Sequence, residues 1–271
     1  MRQILPFINL NGKITGQKSA EIPIFNEGFL YGKGIFTTIK VRVGIPLFFE
    51  RHLSRLQTSA KQLNINSTLN SKLSTLNFSK AAYATIKQNK LINGGIRITL
   101  TPGIICIHAF TGNTEIQKIS VITTPDTRDI YKTHKVTYRI PHLLALKKAR
   151  SQGAQDALFT QNKEIIESTT ANIIALASNN SQLSILTPPI SQNGLDGITR
   201  QILIENLPIH EAPIPATTTS PLILVNSLSL RIVKSIDGKK INQNPEFANL
   251  IRQTLDEAEK SYIKKLKIIY A

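Results

Sequence analysis

The sequence predicts an α+β protein in two unequal parts. Three observations carry this: strand-like apolar runs and helical apolar faces succeed one another without the strict alternation of a parallel α/β fold; a polar, turn-rich stretch at 110–117 (FTGNTEIQ) interrupts them; and 271 residues, 41% hydrophobic and 18% charged, suffice for two cores. The boundary is placed so that residues 1–115 form a small N-terminal α/β domain and 116–271 a larger C-terminal domain.

Residues 8–25 alternate short apolar runs about Asn11-Gly12, a hairpin turn signal. A strand is expected at 34–43. Over 52–63 the apolar residues Leu53, Leu56, Ala60 and Leu63 fall at i, i+3, i+7 and i+10, one face of a helix. A second helix is expected over 71–89, and strands at 97–101 and 104–108 are broken by Pro102-Gly103. After the boundary come a strand at 118–123, a helix at 141–152, strands at 157–160 and 172–177, and the turn Asn193-Gly194. A helix after Gly197, a strand at 222–225 and a helix from Pro245 complete the chain.

Composition narrows the function. No apolar run approaches the roughly 18 residues of a membrane helix, and the N-terminus lacks a secretory pattern, so a cytoplasmic protein without membrane partners is expected. The single cysteine, Cys106, excludes an intrachain disulfide and a multi-cysteine metal cage. His108, His134, His142 and His210 are not spaced as a metal site. The 33 Lys and Arg outnumber 17 Asp and Glu, giving +16. They are scattered in ones and twos rather than gathered into an arm, which suits an anionic small molecule better than nucleic acid.

The order of the chemically useful residues says more. The chain runs Asn26-Glu27-Gly28-Phe29-Leu30-Tyr31-Gly32-Lys33-Gly34-Ile35-Phe36-Thr37-Thr38, then His52-Leu53-Ser54-Arg55, Lys135, Glu167-Ser168-Thr169-Thr170-Ala171-Asn172, Asp196-Gly197-Ile198-Thr199-Arg200 and Asn226-Ser227-Leu228. Nearly the whole chain thus resembles the fold-type IV pyridoxal-phosphate enzymes, the D-amino-acid-aminotransferase-like family that includes branched-chain and D-amino-acid aminotransferases and aminodeoxychorismate lyase. That resemblance implies two domains with pyridoxal 5'-phosphate between them, and a homodimer.

The chemistry of each piece agrees. Such a cofactor needs an amine, a carboxylate facing its pyridine nitrogen and donors around a dianionic phosphate. By the resemblance Lys135 is the catalytic Schiff-base lysine, carried by the C-terminal domain, and Glu167 the carboxylate. Arg55 of the His-x-x-Arg motif supplies a phosphate cation. Ile198 and Thr199 open a helix whose unpaired amides and dipole suit an anion, with Ser227 and Asn226 as further cofactor contacts. Arg200 reads as structural, and Glu164 is the competitor of Glu167.

Within the family three features resemble the lyase: Phe36-Thr37-Thr38, where aminotransferases more often carry glutamate in the middle; Arg139 after Lys135; and Asn226-Ser227-Leu228. Phe36, Thr38, Arg97 and Arg139 are the candidate substrate contacts. The implied reaction converts 4-amino-4-deoxychorismate to 4-aminobenzoate and pyruvate through a cofactor external aldimine, a step of folate synthesis. Departures from the family pattern are Tyr138 for asparagine, Lys33 for aspartate and Thr101-Pro102-Gly103 for threonine-arginine-glycine. The loop after Gly103 also lacks the arginine that clamps a carboxylate in D-amino-acid enzymes. The alternatives are a branched-chain-type aminotransferase and a basic binding protein that has lost the chemistry.

Overall fold

A computed structural model describes residues 3–65, 78–112, 116–128, 130–179, 182–192 and 194–269. Asn193 and the first part of the helix expected over 71–89 lie outside them. The chain divides into two compact units. The first comprises Met1–Thr114, His134–Tyr138 and Lys265–Ala271, and the second Glu115–Thr133 and Arg139–Lys264.

In the first unit β1 (Gln3–Leu10) and β2 (Lys13–Gly16) form the expected hairpin. Asn11 and Gly12 both take positive φ, 52° and 90°, which an Asn-Gly pair tolerates in a two-residue turn. After α1 (Glu27–Tyr31) follow β3 (Ile35–Arg42), β4 (Ile45–Pro46), α2 (Phe49–Gln62), α3 (Phe78–Gln88), β5 (Gly94–Thr101) and β6 (Ile104–Thr111). The sheet has the order β2-β1-β6-β5-β3-β4. Alternation splits its side chains. Ile35, Ile39, Ile96, Ile98, Leu100, Ile105 and Ile107 face a core completed by Leu56 and Ala60 of α2 and Ala82 and Ile86 of α3. On the opposite face lie Phe36, Thr38, Arg97, Thr99, Cys106 and His108, mostly half-buried.

The lysine segment belongs to this unit. Val136 forms an antiparallel bridge with Ile35, the Phe36 amide donates to the Lys135 carbonyl at 2.9 Å, and the Thr137 amide donates to the Gly34 carbonyl at 2.8 Å. A domain boundary at 115/116 would have given Lys135 to the second part. Residues 134–138 join the start of β3 through the Val136–Ile35 bridge and the two backbone bonds above, and Val136 packs on the first core.

The second unit contains β7 (Gln117–Pro125), α4 (Ile140–Ser151), β8 (Asp156–Gln161), β9 (Glu164–Ser168), β10 (Asn172–Asn179), β11 (Gln182–Thr187), α5 (Ile198–Asn206), β12 (Ile209–Glu211), β13 (Ile214–Pro215), β14 (Leu222–Asn226), β15 (Ser229–Ile236) and β16 (Lys239–Lys240). Most of α6 (Pro245–Ile269) also belongs to it. Its ten-stranded sheet runs β12-β11-β10-β14-β15-β7-β8-β9-β13, with β16 on β15. One face buries Ile119, Leu158, Ile165, Ile173 and Leu224. The other buries Ile174, Ile223 and Val225 against Leu203 of α5 and Phe247 and Ile251 of α6. β9, β11, β12, β13, β15 and β16 are absent from the sequence expectation. Among the described residues no helix is long and apolar enough to cross a membrane.

Candidate active site

The first unit gathers an amine, two guanidinium groups and an aromatic ring. Lys135 Nζ lies 5.1 Å from the Phe36 ring centroid and the Arg97 guanidinium 4.2 Å from it. Strand register explains this pairing: Thr38 lies opposite Arg97 on β5, and Arg97 Nε donates to Thr38 Oγ1 at 3.4 Å. Behind this face Thr37 is fully buried. Its Oγ1 accepts from Arg55 Nη2 at 3.2 Å and lies 2.7 Å from His52 Nδ1. Burial, then the charges of Arg55 and Lys135, holds His52 well below the usual histidine range, so it is neutral near pH 7.

His52 sits on the face of α2 that also buries Phe49, Leu56, Ser59 and Ala60. Ser59 Oγ lies 3.0 Å from His134 Nδ1, next to Lys135. A further clamp is Thr137, whose Oγ1 donates to the Gly32 carbonyl at 2.7 Å. A Cβ at Gly34 would lie 2.9 Å from that same Oγ1, so the approach needs glycine there.

The second unit holds Glu167 buried at the end of β9. Its Oε1 accepts from Arg128 Nη1, and its Oε2 accepts from the Leu195 amide at 3.2 Å and Asn172 Nδ2 at 3.4 Å. A carboxylate offers about four lone-pair sites; these partners occupy three. Glu164 instead binds the Gln192 side chain and is only half-buried. Between Glu167 and Asn172 the Ser168–Ala171 turn is pinned from several sides. Arg139 Nη2 donates to the Thr169 carbonyl, Thr169 Oγ1 donates to Asp156, Asn226 Nδ2 donates to the Thr170 carbonyl at 3.1 Å and Arg231 Nη2 donates to Thr170 Oγ1 at 2.9 Å.

Gly197 caps α5, and Ile198 and Thr199 form its buried first turn. A Cβ at Gly197 would come within 1.9 Å of Asn172 Oδ1. Arg200 is buried and bonds the Pro188 carbonyl at 3.2 Å, Thr187 Oγ1 at 3.3 Å and Glu211, a structural setting. Asn226 builds a turn. Its Oδ1 accepts from the Leu228 and Ser229 amides at 2.9 Å and from Ser229 Oγ at 3.1 Å, so its side chain builds the β14–β15 turn that carries Ser227. Arg139 likewise has its guanidinium on a backbone carbonyl.

Lys135, Arg55, Phe36, Thr38 and Arg97 therefore belong to the first unit, and Glu167, Arg139, Ile198, Thr199, Asn226 and Ser227 to the second. Sequence reasoning missed Arg128, Thr137 and Ser59 and gave His52 no role. For His52 and Ser59 a signal existed: polar residues on the apolar face of a helix. Arg128 and Thr137 carry none.

Comparison with known proteins gives the family. The family model described as amino-transferase class IV matches residues 34–236. The chain is 27% identical over 264 residues, 87% of its length and 89% of the other's, to a Methanocaldococcus jannaschii protein provisionally named a branched-chain-amino-acid aminotransferase. It is 26% identical over 222 residues, 73% of each chain, to aminodeoxychorismate lyase of Bacillus subtilis. The solved branched-chain aminotransferase of Thermoproteus uzoniensis superposes with a TM-score of 0.80 at 19% identity, covering 97% of this chain and 98% of that one.

The residues present suit pyridoxal phosphate. Glu167 keeps one lone-pair site for a ring N–H, and Gly197 caps the start of α5, whose first-turn amides suit an anion. Amine, carboxylate and cation are all present. The α+β fold expected from the sequence is thus that of the fold-type IV enzymes, and the chain belongs to the class IV aminotransferase family, with pyridoxal phosphate as its cofactor.

Proposed function

We propose that this enzyme is an aminodeoxychorismate lyase, converting 4-amino-4-deoxychorismate to 4-aminobenzoate and pyruvate. The observation that carries the reading is the pair of cations on one aromatic ring: Lys135 Nζ at 5.1 Å and Arg97 at 4.2 Å from Phe36. The substrate carries an amine and a carboxylate on opposite carbons of a six-membered ring that becomes aromatic and flat in the product. With Lys135 and Arg97 brought together over Phe36, Lys135 would face the substrate amine and Arg97 would answer the carboxylate. Thr38 lies beside this ring, and Thr37 is buried behind it with Arg55 and His52.

Lys135 would hold the cofactor and Glu167 would accept its ring N–H. Arg55, the first-turn amides of α5 at Ile198 and Thr199, the Thr199 hydroxyl and Ser227 would hold the phosphate, with Asn226 shaping the turn beneath Ser227. When bound, the cofactor supplies an electron sink for the carbon bearing the substrate nitrogen. Lys135 Nζ would take the proton from the carbon bearing the substrate nitrogen, the C–O bond to the enolpyruvyl group on the neighbouring carbon would break as the ring becomes aromatic, and the released enolpyruvate would take up a proton to become pyruvate. Thr38 keeps Arg97 oriented, and Arg139 secures the turn after Glu167.

The chain is also proposed to act in the cytoplasm as a homodimer, with no nucleic-acid or membrane partner. Large apolar side chains exposed in the chain, Phe25 and Tyr31 about α1 and Leu143 and Leu144 on α4, suit burial against a second copy. Light scattering at twice the 30.0 kDa chain mass is expected, and a monomer at all concentrations would contradict it.

A second reading, a branched-chain-type aminotransferase, is favoured by the likeness to the Methanocaldococcus jannaschii protein. One experiment separates the two. Holoenzyme given 4-amino-4-deoxychorismate without any 2-oxo acid should release 4-aminobenzoate and pyruvate in equal amounts. Turnover only with an amino acid plus a 2-oxo acid would establish the aminotransferase.

A further inference from the structure

Glu167 does not stand alone in its unit. Arg128, whose side chain is 2% exposed, reaches it through Nη1 and turns the rest of its guanidinium to Asp126. Nε donates to Oδ1 at 2.8 Å and Nη2 to Oδ2 at 3.0 Å, a two-point side-on pair, while the Arg128 amide adds a bond to Oδ1 at 3.1 Å. Lys132 Nζ closes on Asp126 Oδ2 at 3.0 Å. The guanidinium also lies 4.4 Å from the Phe159 ring centroid on β8. Two cations and two carboxylates thus make a neutral set, buried except for Lys132, and a guanidinium so forked cannot rotate without breaking several charge-assisted bonds.

We propose that Asp126, acting through Arg128, is a positioning residue that orients the Glu167 carboxylate and leaves its charge available to the protonated ring nitrogen of the cofactor. The inference rests on the proposed reading that Glu167 faces that nitrogen. Two electrostatic steps support it. Buried charges interact strongly and are costly to leave unanswered. With Asp126 present, Arg128 is neutralised on its far side and Glu167 can serve a second cation. With Asp126 gone, Glu167 becomes the only carboxylate answering Arg128, and its attraction for a pyridinium falls. Burial alone would raise the Asp126 pKa, but the Arg128 bonds and charge, with Lys132, bring it below the ordinary aspartate range. Asp126 therefore stays anionic at neutral pH, as the role requires.

The test compares two ligands that differ only at the ring nitrogen. Apoprotein is titrated with pyridoxal phosphate and with the analogue in which carbon replaces that nitrogen. Asp126→Asn should weaken pyridoxal phosphate by about tenfold and the analogue by less than about twofold. Arg128→Lys keeps the charge but not the fork, so it should show the same selectivity; it serves if Asp126→Asn does not fold. Equal weakening of both ligands in these variants, or no weakening, overturns the inference, because a merely structural defect does not distinguish the ligands. Glu167→Gln decides the underlying reading separately. If it weakens both ligands equally, Glu167 does not face the ring nitrogen; if it alone is selective, that reading stands and the role of Asp126 falls.

Discussion

Lys135 takes its position from its neighbours' backbone and from one hydroxyl. The Phe36 amide holds its carbonyl, and Thr137 fastens the segment to Gly32 through its side chain and to Gly34 through its amide. Removing the Thr137 hydroxyl strands the Gly32 carbonyl, at a cost of about 1 kcal/mol. Thr137→Val should therefore weaken cofactor retention, measured by dialysis of the holoenzyme, while Thr137→Ser restores it; equal retention in all three would remove the clamp from the account. At Gly197 the obstacle is steric. A methyl group there meets Asn172, which is tied to the Leu195 carbonyl at 2.8 Å and to Glu167. Gly197→Ala should cost about 1–3 kcal/mol in denaturant titration of the apoprotein, and an unchanged midpoint would contradict the contact. Residues that act by chemical type, such as an amine or a carboxylate in a recognisable order, were legible in the sequence. Arg128 and Thr137 act by what they touch across long stretches of chain, and no spacing rule reports that.

Elements were legible where one face is buried and the other is not. β3 and β5 alternate, α2 shows its helical stripe, and α5 announces itself with a glycine cap. β9 and β15 escaped for different reasons. β9 (EIIES) is too short to show a period, and four of its five residues are buried. β15 turns back on β14 through Ser227-Leu228, a two-residue turn without the glycine that signals a hairpin, and its other edge pairs in parallel with β7, more than a hundred residues earlier. Ile98 on β5 is fully buried at the centre of the first core. Ile98→Ala should cost about 2–5 kcal/mol by cavity formation, read as a lowered unfolding midpoint; a loss under about 0.5 kcal/mol would mean the core is not where it is placed.

For the whole molecule, three histidines shifted by burial contribute to the response to acid. Burial, then Arg97, lowers His108 from 6.5 to about 4, and His52 and His134 shift the same way. Between those pH values the unfolded chain binds more protons than the folded one, so stability rises with pH. The melting temperature should be level above pH 7 and fall on acidification from about 6.5 to 4. His108→Gln should flatten part of that fall; an unaltered profile would place the acid sensitivity elsewhere.

The central claim is that Lys135 carries the cofactor. Holoenzyme reduced with borohydride and digested should yield one peptide bearing the reduced cofactor, attached at Lys135, and Lys135→Ala should yield none and lack the visible cofactor absorbance. A modified peptide centred on any other lysine, or an unchanged spectrum in Lys135→Ala, would contradict the site.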